Sequence, residues 1–238
     1  MKSKLFILKT LSLVSVLATA QTSEFNFYGK AGIDLTSRFE TMRVRLENID
    51  FPTSASTKKN TFSPSIFLET TYNVLPQLEV GLGTGYIKRK GFDHSASINE
   101  PGGIIERETY KINRYSSIPL YLTLKHNFAI NDNAKIYYKS DLGYSFNKIR
   151  NTSYAIRSYK GKDIVQPEFK APVHMKAKNG LYLGLAIGIE YQSFLAELGY
   201  YHTNSAITYQ SDYRPQHTKY VHNSYKNDAL RLSFGIKF

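Results

Sequence analysis

Cysteine is absent from this 238-residue chain, and so is tryptophan. Without cysteine there is no disulfide framework, no thiolate zinc site and no cysteine nucleophile. A hydrophobic fraction of 42% and a mean hydropathy of −0.36 are too polar for a bundle of membrane-spanning helices. The same values, with 14% aromatic residues, are too apolar for a disordered chain. Acidic residues are scarce: 19 Asp+Glu stand against 31 Lys+Arg, for a formal charge of +12. A basic balance with 19 tyrosines and 14 phenylalanines fits nucleic acid, a membrane surface or neither, so the residue pattern must decide. The length suits one large domain or two small ones.

The first twenty residues read as an export signal. Lys2 and Lys4 precede a short apolar centre, and Ala18-Thr19-Ala20 supplies a small-x-small cleavage site. A membrane anchor fails on length, because a spanning helix needs about 20 predominantly apolar residues and Lys9 interrupts this one. Residues 1–20 are therefore expected to be removed, and residues 21–238 to form the mature domain. The +12 less Lys2, Lys4 and Lys9 leaves +9.

From Phe25 onward the dominant period is two, the signal of strands. Eight alternating stretches follow one another. In the sixth, Leu181, Leu183, Leu185, Ile187, Ile189 and Tyr191 share one face, opposite Tyr182, Gly184, Ala186, Gly188 and Glu190. No stretch of comparable length has a helical period, so the chain is all-β. Short connections near 74–77, 129–133 and 192–193 alternate with long polar ones over 40–62, 88–114, 148–179 and 203–225. That alternation predicts an eight-stranded antiparallel up-and-down transmembrane β-barrel, with four long extracellular loops and both termini periplasmic.

Small and charged residues share the polar face, which suits the crowded interior of an eight-stranded barrel. The apolar face carries aromatics near both strand ends. These are Tyr72, Phe128, Tyr191 and Phe238 at one end, and Tyr86, Tyr115, Tyr144 and Tyr200 at the other. Two aromatic girdles around an aliphatic band suit a bilayer, so the apolar face is expected to meet lipid.

The stretches 117–125, 136–144 and 230–238 resemble those of the small outer-membrane β-barrels of the OmpA-type and opacity-protein (porin-like) kind. The resemblance covers the whole mature chain and is architectural. It implies a Gram-negative outer-membrane address at the cell surface. It also implies that Leu230, Leu232, Phe234, Ile236 and Phe238 form the terminal signal read by the barrel-assembly machinery.

The candidate chemistry begins inside. Lys30, Lys125, Lys139, Arg231 and Lys237 face Asp34, Glu69, Glu79, Asp141, Glu190 and Glu197, a near-balance that predicts a paired network. A structural plug is the reading that a narrow lumen favours; the functional alternative is a proton or ion path. The third long loop carries Lys148, Arg150, Arg157, Lys160, Lys162, Lys170, Lys176 and Lys178 against Asp163 and Glu168, eight cations to two anions. It is either a solvated, variable loop or a surface for lipopolysaccharide phosphates, acidic host glycans or nucleic acid, the last disfavoured because the export signal removes the chain from the cytoplasm.

None of His94, His126, His174, His202, His217 and His222 has the spacing of a metal site. His126 is expected on the lipid-facing side near a turn. The segment Tyr201-His202-Thr203-Asn204-Ser205-Ala206 resembles the His-x-Ser-Asn strand of outer-membrane lipid A deacylases, with Asn204 where those enzymes place serine and Ser205 on the opposite face. The expectation is thus a monomeric, non-enzymatic surface protein without cofactor, metal or nucleic-acid partner. It would contact outer-membrane lipids, lipopolysaccharide and a host or environmental ligand. The alternatives are a lipid A acyl hydrolase using His202, or a narrow channel for small solutes.

Overall fold

The computed structural model describes residues 25–36, 43–46, 49–52, 61–89, 92–100, 102–112, 115–150, 152–211 and 220–238. The expected export signal at 1–20 lies outside the described residues. Every described element is a strand. In chain order they are β1 (Phe25–Thr36), β2 (Arg43–Leu46), β3 (Ile49–Pro52), β4 (Thr61–Leu75), β5 (Leu78–Arg89), β6 (Phe92–Glu100) and β7 (Ile104–Ile112). They continue with β8 (Tyr115–Asn131), β9 (Ala134–Ile149), β10 (Thr152–Lys160), β11 (Asp163–Ala177), β12 (Gly180–Tyr191), β13 (Phe194–Ser211) and β14 (Tyr220–Lys237).

Eight of these strands close on themselves in the order β1-β4-β5-β8-β9-β12-β13-β14, each antiparallel to the next, with β14 returning to β1. The fold is therefore the expected closed, eight-stranded antiparallel barrel. Closure leaves no unpaired edge along the wall, which a bilayer demands. The seam is finished by the last residue, where the Phe238 amide donates to the Phe27 carbonyl at 2.9 Å.

The ladders also fix the tilt. Hydrogen-bonded partners starting at Ser65 in β4 run through Gly32, Ser233, Glu197, Gly188 and Tyr137 to Asn127. The Asn127 amide then donates to the carbonyl of Gln77, in the turn that ends β4. A row that starts near one end of β4 thus finishes at its other end. This is the stagger that closing a tilted sheet requires.

The long connections differ from the sequence expectation. Read as polar loops, they contain three hairpins, β2–β3, β6–β7 and β10–β11, and the wall strands run into them. β13 and β14 stay paired from Phe194–Ile236 as far as Gln210–Tyr220. Along one edge of β13, the lower part meets β12 and the upper part meets β11. β14 likewise meets β1 below and β2 above. Beyond the barrel rim the sheet thus opens and continues as β3-β2-β14-β13-β11-β10-β7-β6. These segments were missed because they lack the long apolar alternation that marks the wall strands.

Strand parity sorts the two faces. The outward side chains of the wall are apolar, from Phe25 and Ile33 round to Leu232 and Phe238. Tyr72, Phe128, Tyr191 and Phe238 lie exposed toward the short turns, and Tyr86, Tyr144 and Tyr200 toward the long connections. The Tyr115 side chain lies outside the described residues. Even the outward Thr84 hides its hydroxyl by donating to the Pro119 carbonyl at 3.0 Å.

Candidate functional site

The inward face carries the polar residues, and the structure brings the expected network together inside the barrel. Near the short turns, Lys125 Nζ lies 2.9 Å from Glu190 and 3.6 Å from Glu79. It also donates to the Tyr28 hydroxyl at 3.0 Å. Glu79 accepts from Tyr28, Thr71 and Asn127 at 2.9, 2.6 and 2.8 Å. Lys237 is only half-buried and stands 3.7 Å from Glu190 at the edge of the group.

Midway up, two lysines meet three carboxylates. Lys30 lies 2.6 Å from Glu69 and 3.1 Å from Glu197. Lys139 lies 2.8 Å from Glu69, 3.1 Å from Asp141 and 3.4 Å from Glu197. Tyrosines add donors to two of these carboxylates: Tyr121 to Glu69 at 2.7 Å, and Tyr201 and Tyr137 to Glu197 at 2.7 and 3.2 Å.

Toward the long connections, Arg231 grips Asp34 through Nε at 2.6 Å and Nη2 at 2.8 Å. Its third nitrogen donates to the Tyr182 hydroxyl at 2.9 Å. The guanidinium also stacks over Tyr201 at 4.0 Å and Phe67 at 4.2 Å. This forked geometry is one that lysine could not reproduce.

Two cations of the network escaped the sequence reading. Arg89 donates to Ser117 and Thr203 at 3.1 and 3.0 Å and approaches Asp34 at 4.0 Å. Lys135 lies 3.1 Å from Glu190 and 3.4 Å from Glu79. Parity would have found both, since Arg89 continues the inward series Glu79, Gly81, Gly83, Gly85 and Lys135 stands two residues before Tyr137.

The space between charges is filled. Tyr121, Tyr182 and Tyr201 form a run of rings with centroids 5.2 and 5.9 Å apart, all buried. The glycines of this face make room for the rings. A Cβ on Gly188 would collide with the Tyr137 ring. One on Gly143 would strike the Leu120 carbonyl, backbone that cannot turn aside.

His202 is not in the lumen. It sits on the outward face of β13, with Nδ1 2.6 Å from Asp228 Oδ1 on β14, the pair half-buried near the level of Tyr200. Asn204 shares that outward face, while the Ser205 side chain lies outside the described residues. His126 also faces outward and packs 4.5 Å from the Phe128 ring. The side chains of His94, His174, His217 and His222 lie outside the described residues. Among the described residues no three His, Cys, Asp or Glu side chains converge as a metal site.

The basic-loop residues are dispersed rather than gathered. Lys148 is the next-to-last residue of β9 and Arg150 follows the strand, whereas Arg157, Lys160, Lys162, Lys170, Lys176 and Lys178 are exposed on or beside β10 and β11. Arg157 donates to Glu168 at 2.8 Å, which holds that exposed carboxyl below its ordinary range. The side chains expected to form an assembly signal, Leu230, Leu232, Phe234, Ile236 and Phe238, all point outward from β14 or just after it.

No family model matches the chain. Its fold is similar to that of the outer membrane protein OprG from Pseudomonas aeruginosa, with a TM-score of 0.52 at 12% identity over 90% of this chain and 95% of that one. The uncharacterized protein PM1543 of Pasteurella multocida (strain Pm70) is 40% identical over 246 residues, spanning 100% of this chain and 99% of that protein. A chain that matches PM1543 end to end at this identity, with the fold of an outer-membrane eight-stranded β-barrel, belongs to the family of PM1543.

Proposed function

We propose that this is an integral outer-membrane protein of the OmpA-type and opacity-protein kind, non-enzymatic, with a sealed barrel as anchor and its extended hairpins as the working surface. Its loops would face outward and its termini the periplasm, in a monomer assembled by the barrel-assembly machinery. The observation that carries the reading is the filled lumen. The buried ions reach partners within about salt-bridge distance, and tyrosine rings occupy the gaps. Opening an aqueous path would require breaking several desolvated pairs together, each strongly unfavourable to break singly. The hairpins that continue β13 and β14 above the rim offer the surface for lipopolysaccharide or a host or environmental ligand.

The test is conductance of purified, folded protein in a planar bilayer. Closed traces are expected, since water-filled lumens belong to barrels of roughly 16 or more strands. Stable nanosiemens-scale openings would replace this reading with a channel.

One observation favours a second reading. Asp228 fixes Nδ1 of His202, which leaves Nε2 as the free nitrogen of an oriented imidazole at the lipid face, the arrangement a general base needs. Lipid A deacylation that disappears in His202→Ala and weakens in Asp228→Asn would favour a hydrolase.

A further inference from the structure

Across β5, β8 and β9 the outward face changes character abruptly at the end of the aromatic girdle. Lys88 on β5 is the ladder partner of Ser116 on β8, and Ser116 is the partner of Lys148 on β9. All three side chains point away from the lumen, because Arg89, Ser117 and Asn147 beside them are the buried ones. Two lysines therefore flank one hydroxyl across three adjacent strands. With strands about 4.8 Å apart, the lysine Cα atoms are roughly 10 Å apart, within reach of a single phosphate over Ser116. Arg150 lies exposed one outward position further along the same edge.

Immediately below this row the wall is apolar. Tyr86, Ile118 and Phe146 stand two residues inward from the cations and serine, each about half exposed. Leu120 and Leu122 extend the strip, and Tyr144 packs edge-on against Phe146 at 5.5 Å. Fixed positive charge directly above a lipid-exposed strip is the shape of a phosphorylated amphiphile in reverse.

The charge is also available. Lys88, Lys148 and Arg150 have no ion-pair partner among the described residues, whereas Arg157 and Lys170 share Glu168. On the β13–β14 side the outward His202 already has a carboxylate partner, Asp228, at 2.6 Å. Lys88 on β5 and Lys148 on β9 thus stand, without an ion-pair partner among the described residues, on either side of Ser116 on β8.

We propose that Lys88, Ser116 and Lys148 form a docking site for the phosphate of lipid A, with its acyl chains lying on Tyr86, Ile118, Phe146 and Leu120. The site rests on the reading that the barrel spans the outer membrane. Each lysine near an anionic headgroup supplies a sequence-local, salt-screened attraction, and Ser116 adds a hydrogen bond to a phosphate oxygen.

The test uses the full mature barrel, folded in uncharged detergent, and compares binding of bis-phosphorylated lipid A with the same lipid after removal of its phosphates. Wild-type protein is expected to prefer the phosphorylated lipid by roughly tenfold, an advantage that fades with salt. K88Q/K148Q is expected to lose that preference, and the hairpin-tip variant K160Q/K162Q to keep it. Equal binding of the two lipids overturns the site, as does a preference that survives in K88Q/K148Q or vanishes equally in K160Q/K162Q. Gel mobility before and after boiling reports separately on the barrel. A heat-shifted protein without phosphate preference removes the docking site alone, while a soluble protein with no heat shift removes the membrane reading and the site with it.

Discussion

Removing the Arg231 guanidinium should expose how dry the lumen is. In Arg231→Met an apolar stem remains, but Asp34 loses both charge-assisted bonds, at 2.6 and 2.8 Å. Asp34 is fully buried, and what remains beside it is the Ser65 hydroxyl at 3.2 Å and Arg89 at 4.0 Å. Arg89 cannot simply close in, because it is tethered to Ser117 and Thr203. Breaking one partner of a buried pair costs about 3–5 kcal/mol, and the nearby Arg89 argues for the lower end. A loss of about 3 kcal/mol lowers the folding equilibrium constant roughly a hundredfold. The loss of cation–π stacking on Tyr201 and Phe67 acts in the same direction, by about 0.5–2 kcal/mol. The second variant, Asp34→Asn with Arg231→Met, removes both charges of the pair and should recover part of the stability, because no buried carboxylate is then left without its guanidinium. Reversible urea unfolding in detergent micelles, followed by circular dichroism and by gel mobility, measures all three proteins. A single variant within about 0.5 kcal/mol of wild type, or a double variant no better than the single one, would refute a dry, paired interior.

Two further outcomes follow from the same geometry. Trypsin added to intact cells should cut at Lys160 or Lys162, in the exposed turn around Gly161, and leave the paired lengths of β10 and β11 whole, as peptide mapping by mass spectrometry will show. Cleavage at Lys135, beside a short turn, would instead invert the topology. Gly143→Ala should lose about 1–3 kcal/mol in the same unfolding assay, since its Cβ meets the backbone of β8 rather than a movable side chain. An unchanged stability would show that the wall relaxes there.

The sequence by itself determined the wall of the barrel. Alternation is a local property, so the eight stretches could be marked, and Lys30, Glu69 and Lys139 assigned inward, without knowing any neighbour. The terminal run from Leu230 to Phe238 and the lipid-facing strip were legible for the same reason. Two things were not local. Which charges meet depends on the stagger of closure, which sets Arg231 on Asp34 across 197 residues and Lys30 on Glu197 across 167. The registers between neighbouring strands likewise gave His202 its partner Asp228 and laid Lys88, Ser116 and Lys148 in one row. The hairpins above the rim were hidden for a different reason. Their residues carry no long apolar alternation, and only the pairing of β10 with β7 and of β11 with β13 reveals them as sheet. Periodicity records which solvent each face meets, while partnership is decided by the register that closes the ring.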